Sequence, residues 1–510
     1  MNVFLERISL KKMCLLSLLD SEKRGFSIKE LEQKLGHNSK TITKMVQSLK
    51  LELIPWQNSI ALVTNNDRTL SLQKKACFSL ETINLYYIKE SFIFKACDAI
   101  FNEEFIDIAT FSSANYISYS TLYSRLNEIK PLLEHYAIEF KPNNMAYFEG
   151  EEKQIRYFFY HFYWSTHWGM EWPFQEIDKE QFSTIINLLD GLRKTTTLYI
   201  SEQESIAFWL GVITTRINLG HTIEQVDLYN SIIDDNSAFT YFQNALLEEF
   251  KQLFPTISKP DLLNEIQFLY VVMYSNDYFE MDDPQISETL IFSQNRNGII
   301  FGATNHWLKI CSEFFEVSLS AAEYGAIYAN LIHLHAEIAF FKGNISLFFN
   351  DYIEASHTKD EADDFYDSLM EYFYEKLIEN KKYKKIFINK ERLLPRYKMI
   401  ARKFITIDSQ KNLIKVHLIS VYGNKELVYL KNLINRSCSE QIEFSEDHNN
   451  VDLIVSDRLY AGINHLNTPM IILGEEPDEN DLVEVNNVIK KISFDKLYKK
   501  LVSHTHFPAI

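Results

Sequence analysis

The sequence predicts a mainly α, multidomain protein with two winged helix-turn-helix units at its front, a long helical middle and a small α/β unit at its end. Three observations carry that expectation. Gly (14) and Pro (11) together make about 5% of the 510 residues, against a usual sum of about 12%. Scarce turn-formers beside 14% aromatics argue against a disordered, collagenous or turn-dense all-β chain. Two stretches among the first 150 residues repeat one order: short helix, tight turn, second helix, hairpin. In the last hundred residues the apolar pattern changes from helical spacing to short strands alternating with helices. At roughly 100–200 residues per domain, a chain of this length holds about three to five of them.

No run reaches the roughly 18 apolar residues needed to span a bilayer. The stretch Met13-Cys14-Leu15-Leu16-Ser17-Leu18-Leu19 is closed by Asp20 and reads as a helix, not a signal peptide. Cys14, Cys77, Cys97, Cys311 and Cys438 are scattered and never closely paired, which disfavours a disulfide framework and a zinc site. The expectation is a soluble, cytoplasmic protein without membrane contact, metal or cofactor.

A net charge of −17 normally counts against nucleic acid, because phosphate is repelled by an acidic surface. The distribution of that charge points the other way. Residues 1–80 carry thirteen Lys or Arg against seven acids, a local net of +6. Residues 351–380 carry ten acids against two lysines, and 381–403 ten bases against one acid. The latter pair reads as a solvated face.

Ser27 with Glu30 three residues on forms a capping box, Ile28, Leu31 and Leu35 make an apolar stripe, and Gly36 ends the helix. A second helix buries Ile42, Met45, Val46 and Leu49 and leaves Ser39, Lys40, Thr41, Thr43, Lys44 and Gln47 outside. A short helix, a tight turn and a second helix with a basic polar face is the helix-turn-helix arrangement. Its second helix fits the major groove, where Lys and Gln reach base edges and hydroxyls reach phosphates. Leu53 to Val63 then reads as a hairpin wing turning at Gln57-Asn58. The second copy is predicted as a helix over 105–111, a turn over 112–115, and a helix over 119–133 with Leu122, Leu126, Ile129 and Leu133 inward. Ser120, Thr121, Ser124 and Arg125 are its candidate DNA contacts. Tyr136 to Phe140 and Met145 to Glu149 bracket Lys141-Pro142-Asn143-Asn144 as a second wing.

From Glu151 to about Asn389 amphipathic helices follow one another, for example 151–168, 203–219, 262–275, 319–341 and 363–379. They hold no phosphate-binding glycine loop, metalloprotease helix or nucleophile elbow. His333 and His335, two apart on one helix, point to different faces and cannot share a metal. Strands are predicted at 413–420, 451–456 and 469–474, with helices at 426–436 and 479–491, hence a small parallel sheet.

Taken together, the two recognition-helix segments and the stretch Phe208 to His221, with its helix–Arg216–x3–Gly220 pattern, resemble the Mga/AtxA-type virulence and stress regulators. That resemblance implies domains over 1–75 (winged helix-turn-helix), 76–165 (second, Mga-type), 166–288 and 289–405 (helical phosphotransferase-regulation domains), and 406–510 (an EIIB-like α/β domain). It implies a DNA-binding regulator, expected to be an activator. Homodimerisation or activity would be modulated by histidine phosphorylation from a phosphocarrier protein of the sugar phosphotransferase system. Candidate phosphorylation sites, in order, are His221, His333 and His306. Trp209 and Asn330 stand where the regulation-domain pattern has histidines. After the first strand of the last domain, Ser420-Val421-Tyr422-Gly423-Asn424 stands where an active phosphocarrier has its cysteine, so no thiolate nucleophile is expected there. Two other readings are a phosphocarrier-type protein, which the missing cysteine disfavours, and an RNA-binding antiterminator, which would begin with a small β domain rather than helices.

Overall fold

The computed structural model describes residues 4–141, 148–192, 197–224, 229–276, 298–315, 317–348, 361–404, 413–438, 440–448, 450–460, 468–474 and 477–504. The chain divides into two units, Met1–Glu280 with Phe340–Ser356, and Met281–Ala339 with His357–Ile510. The five-domain partition expected from sequence is finer than this division.

The first unit begins with α1 (Arg7–Glu22), α2 (Ile28–Leu35) and α3 (Ser39–Glu52). Ser27 and Glu30 form the reciprocal capping box. Gly36 adopts φ +65°, the left-handed conformation that glycine tolerates without a Cβ penalty, and its N–H bonds Glu32 O. Asn38 caps α3 by accepting from Thr41 N at 2.9 Å. The hairpin comes later than the sequence suggested. Ile54-Pro55-Trp56 is a 3-10 turn, because Pro55 has no N–H to give to a ladder. Strands β1 (Ile60–Thr64) and β2 (Leu70–Lys74) pair antiparallel. They turn through Asn65 to Thr69, where Asp67 accepts from Thr69 N at 3.0 Å.

Next come α4 (Glu81–Glu90), α5 (Phe92–Phe101), α6 (Ile108–Ala114), α7 (Tyr119–Glu128) and α8 (Lys130–His135). The α6 helix starts and ends later than expected, since Asp107 caps it through Thr110 N at 2.7 Å. The expected single helix over 119–133 is broken at Ile129, because Pro131 cannot continue the ladder and instead opens α8. Strands β3 (Glu139–Phe140) and β4 (Phe148–Glu149) pair antiparallel. The expected wing turn at Pro142-Asn143-Asn144 lies outside the described residues.

The unit continues with α9 (Glu152–His167), α10 (Ser183–Gly191), α11 (Ile200–Asn218), α12 (Asn230–Ile233), α13 (Ser237–Leu253) and α14 (Lys259–Ser275). The aromatic run of α9 is packing. Tyr160 stacks on Trp209 at 4.1 Å and Tyr157 on Phe341 at 4.5 Å. Gly343, at φ +104°, lies against Tyr136, where an added Cβ would come within 2.4 Å of the ring.

Inside this wall lies a charged node. The Arg156 guanidinium, fully buried, donates to both Glu265 oxygens at 2.5 and 3.0 Å, to Glu152 Oε1 at 3.0 Å and to His221 O at 2.9 Å. Arg216 grips Glu152 at 2.9 and 2.8 Å, and Glu265 also accepts from Ile223 N at 2.8 Å. Residues distant in sequence, on α9, α11 and α14, are thereby fixed to one another.

The second unit contains α15 (Ile299–Phe315), α16 (Ala321–Phe340, whose last residue belongs to the first unit), α17 (Glu361–Ile378), α18 (Lys384–Phe387) and α19 (Lys390–Phe404). It ends in a parallel sheet of strand order β6-β5-β7-β8, made of β5 (Ile414–Ile419), β6 (Ile442–Phe444), β7 (Leu453–Ser456) and β8 (Met470–Ile472). Helices α20 (Asn424–Ser437) and α21 (Glu479–His504) complete it. The sheet core is aliphatic, with Val416, Leu453, Val455, Ile434 and Ile489 buried. The edge strand β6 went unread in the sequence. No helix among the described residues is long and apolar enough to cross a membrane.

Replacing Glu265 by Ala leaves the Arg156 charge buried without its bidentate partner, so the first unit should lose about 3–5 kcal/mol. Replacing both residues together (Arg156→Met with Glu265→Leu) should recover part of that loss. Chemical denaturation followed by tryptophan fluorescence measures both; a single-variant loss below about 1 kcal/mol contradicts the node's role.

Candidate nucleic-acid interface

The α3 helix turns Ile42, Met45 and Leu49 inward, which leaves Lys40, Thr43, Lys44 and Gln47 on the exposed side. Neither Lys40 nor Lys44 has an ion-pair or hydrogen-bond partner among the described residues. Their charge is therefore not neutralised from within. Ser39 is exposed at the first turn, with its N–H bonded to Glu32. Thr41 is half-buried, and the Thr43 hydroxyl donates to Ser39 O at 2.9 Å. Lys50, which sequence reasoning passed over, is exposed and donates to Thr64 at 3.0 Å, tying α3 to the hairpin. Arg68 stands exposed on the hairpin turn. It was missed because the turn was assigned to Gln57-Asn58; the polar run Asn65-Asn66-Asp67 before Arg68 was the available signal.

This front end is anchored by Lys12, which reaches from α1 to Glu52 at 2.5 Å and Ser48 at 2.9 Å on α3. Tyr87 on α4 donates to the same Glu52. A buried lysine is used here as a fastening, whereas the α3 lysines face water.

The second helix-turn-helix is built alike. Ser118 caps α7 by accepting from Thr121 N at 3.0 Å, and its hydroxyl also meets those of Ser120 and Thr121. Leu122 and Leu126 are buried; Ser120, Thr121 and Ser124 are exposed. Arg125 corrects the sequence expectation. Its side chain is only 14% exposed and bonds Glu128 and Leu5 O, the latter at 3.1 Å. It fastens α7 to the start of the chain rather than facing outward.

The three candidate histidines differ sharply. His221 follows α11, its side chain is 39% exposed, and its Nε2 lies 2.5 Å from Glu103 Oε1. His333 is 3% exposed inside the second unit, so no carrier protein can reach it without opening the packing. His306 is half-buried against Tyr383 and Phe387, and burial lowers its pKa. His335, beside His333 on α16, is fully buried with Thr304 Oγ1 at 2.8 Å from Nδ1 and Tyr397 OH at 2.6 Å from Nε2. Burial pushes its pKa down to about 3. Burial likewise takes His167 down to about 4. No group of three or more potential metal ligands occurs among the described residues.

In the terminal sheet, Asp457, which directly follows β7, fills the loop that follows β5. Its carboxylate accepts from Val421 N at 2.7 Å and Ser420 Oγ at 2.9 Å. Cys438 lies beyond α20, where burial raises its pKa. The loop thus holds a carboxylate and no cysteine.

Capped helix pairs, each followed by a hairpin, define a helix-turn-helix protein. Comparison with known proteins agrees: residues 76–163 match the model of the Mga helix-turn-helix domain. The capsule synthesis positive regulator AcpA of Bacillus anthracis is 25% identical over 62% of this chain and 65% of its own length. A putative trans-acting regulator of Streptococcus pneumoniae serotype 4 is 24% identical over 56% of each chain. The anthrax toxin expression trans-acting positive regulator of Bacillus anthracis is 22% identical over 44% of this chain and 46% of its own. These matches span less than two thirds of each relative's length. The chain is thus similar to these regulators and contains a Mga-type helix-turn-helix domain.

The buried histidines carry a pH prediction. In the unfolded chain imidazole titrates near 6.5, whereas the folded chain holds His335 and His167 neutral until far lower pH. Unfolding therefore takes up protons once pH drops below 6.5, and stability falls from there toward pH 4 for His167 and pH 3 for His335. Between pH 6.5 and about 5, His335 alone should remove about 2 kcal/mol. Melting at pH about 7.5 and about 5 should show a smaller loss for His335→Gln than for the parent; equal losses contradict this account.

Proposed function

We infer that this chain is a DNA-binding transcriptional regulator, an activator, rather than an enzyme. The observation that carries the reading is the unneutralised Lys40–Lys44 face of α3 in a chain that also contains a Mga-type helix-turn-helix. An acidic body leaves that face as the place where phosphates are attracted. Lys40, Lys44 and Gln47 enter the groove, Ser39 and Thr43 meet the backbone, and Arg68 reaches the flanking phosphates. Ser120, Thr121 and Ser124 extend the contact from the second unit, and tandem modules multiply affinity through effective concentration. The relatives' names, positive regulators in two of the three cases above, support activation. The chain acts as a homodimer, with the α/β end as an assembly module. A phosphocarrier role is disfavoured by Asp457, whose charge repels phosphate where a nucleophile would be needed. An antiterminator role is disfavoured by the helical front end.

Regulation by the phosphotransferase system acts through His221. It is the most exposed of the three candidates, and it sits beside Arg216 and Glu103. A phosphoryl group adds nearly two negative charges. That charge displaces the Glu103 carboxylate and draws Arg216, so the disturbance reaches the connection between α5 and α6 at the base of the second helix-turn-helix.

Replacing Lys40 and Lys44 by Ala should weaken duplex binding on every sequence and reduce the slope of log affinity against log salt by roughly two. Anisotropy titrations at several salt concentrations read both, and unchanged affinity overturns the DNA reading. Incubation with radiolabelled phosphoenolpyruvate, the phosphocarrier protein and the enzyme that charges it should label the parent and the His306→Ala and His333→Ala variants but not His221→Ala. Label retained on His221→Ala removes the regulatory assignment.

A further inference from the structure

One surface of the molecule contradicts the usual economy of folding. Tyr116, Tyr119 and Tyr123 are 97%, 53% and 40% exposed. Tyr119 and Tyr123, four residues apart, share one face of α7, and Tyr116 lies in the turn that leads into it. The Tyr119 and Tyr123 rings are stacked, 6.1 Å apart and 10° from parallel, which makes them a flat preformed plate. Around them, Ser120, Ser124 and Asn127 supply hydroxyl and amide groups, and no carboxylate belongs to this face. The nearest acid on the helix, Glu128, is engaged by Arg125.

Tyr116 is the most telling of the three. It is the residue that ends α6, with φ +55°, and the N–H of Ile117 bonds Ser112 O at 3.0 Å across it. That is the helix-ending position where glycine or asparagine is favoured, because a Cβ crowds the following carbonyl in left-handed backbone. A tyrosine there buries nothing and strains the backbone. Folding gives no reason for it.

The geometry points to this tyrosine face as an uncharged sequence-reading surface for double-stranded DNA, with thymine C5-methyl groups as the base features it contacts. The inference rests on the DNA-binding reading above and names its second contact. The face belongs to the second helix of the module that matches a helix-turn-helix domain, the helix such modules lay in the major groove. Every exposed ring carries a hydroxyl able to reach a phosphate oxygen. The two modules are also fastened together. Arg125 ties α7 to Leu5 O just before α1, and Lys12 ties α1 to α3, all within one unit.

A division of labour follows. The α3 lysines provide salt-dependent, sequence-independent attraction. The α7 tyrosines provide salt-insensitive discrimination through ring contact with thymine methyls.

The test uses the full chain and a duplex enriched by the parent protein from a random-sequence pool. Tyr116→Gly relieves the backbone strain, so its melting temperature should equal or exceed the parent's while affinity for that duplex falls roughly tenfold. The salt slope should stay at the parent's value, in contrast to the Lys40 and Lys44 variant. Tyr119→Ser with Tyr123→Ser should behave alike. Replacing thymine by deoxyuridine in the duplex removes the methyl groups; it should weaken the parent several-fold and leave the double serine variant unaffected. Parent-like affinity and sequence ranking in the tyrosine variants overturn this inference while the lysine result upholds DNA binding. So does loss of self-association without loss of DNA affinity, which would make the face a contact between copies. If the parent enriches no duplex at all, the DNA reading itself fails, and this inference with it.

Discussion

The buried ion pair between Arg156 and Glu265 is the constraint on which the first unit's arrangement depends. Isolated in a protein interior, either charge would be prohibitively costly. Here the charges are matched and bonded: Glu265 takes two bonds from Arg156 and one from Ile223, while Arg156 also donates to Glu152 and His221 O. The Phe268 ring lies 5.3 Å from the guanidinium carbon and closes the site. Such a pair adds little net stability over an apolar substitute, but it tolerates one geometry only. The helix that carries Arg156 leads directly out of the β3–β4 hairpin, so the node fixes the second helix-turn-helix against α11 and α14. Arg216 and Glu152 prolong the network to the surface at Glu103 and His221.

Charge elsewhere in the first unit follows a consistent rule. Basic residues that fasten helices are buried and matched, as with Lys12 at Glu52 and Arg125 at Glu128 and Leu5 O. Basic residues that could meet phosphate, Lys40 and Lys44, stand apart from carboxylates. A net charge of −17 is then compatible with nucleic-acid binding, because the field near a surface is set by its closest charges once salt screens the rest over about 8–10 Å.

What the sequence made legible was local. Ser27 with Glu30, Gly36, and the apolar spacing of α2 and α3 each involve residues within a few positions of one another, and all were read correctly. The wing was misplaced because Gln57-Asn58 has turn composition, while the decisive feature, Pro55 in a 3-10 turn, acts by removing a donor. The break at Pro131 was overlooked because the leucine stripe runs on unbroken through Leu133. Strand β6 is three residues long, too short for alternation to register. The Arg156–Glu265 pair joins positions 109 residues apart, and no periodicity encodes such a partnership. Arg125 was assigned outward from helical phase alone, which does not show that Leu5 O lies within its reach. The tyrosines of α7 escaped notice for the opposite reason: aromatic side chains on a helix normally mean core, and only accessibility separates the exceptions.

The terminal sheet bears on where a phosphorylation signal can enter. A phosphocarrier loop must leave its backbone N–H groups free to cradle an incoming phosphoryl group and must hold a nucleophile beside them. In this chain Asp457 already accepts from Val421 N and from the Ser420 hydroxyl, and Tyr460 donates to its other oxygen at 3.3 Å. In the proposed EIIB-like reading these donors are already taken by a carboxylate of the same fold, which repels phosphate. Displacing Asp457 would cost those bonds without supplying a thiolate. In the proposed reading, regulation by phosphate therefore depends on imidazole. Of the candidate imidazoles, His221 alone combines exposure with contact to the network that holds a helix-turn-helix in place. A charge added there acts on Glu103 and Arg216 directly, whereas a charge added at His333 would first have to unpack α16.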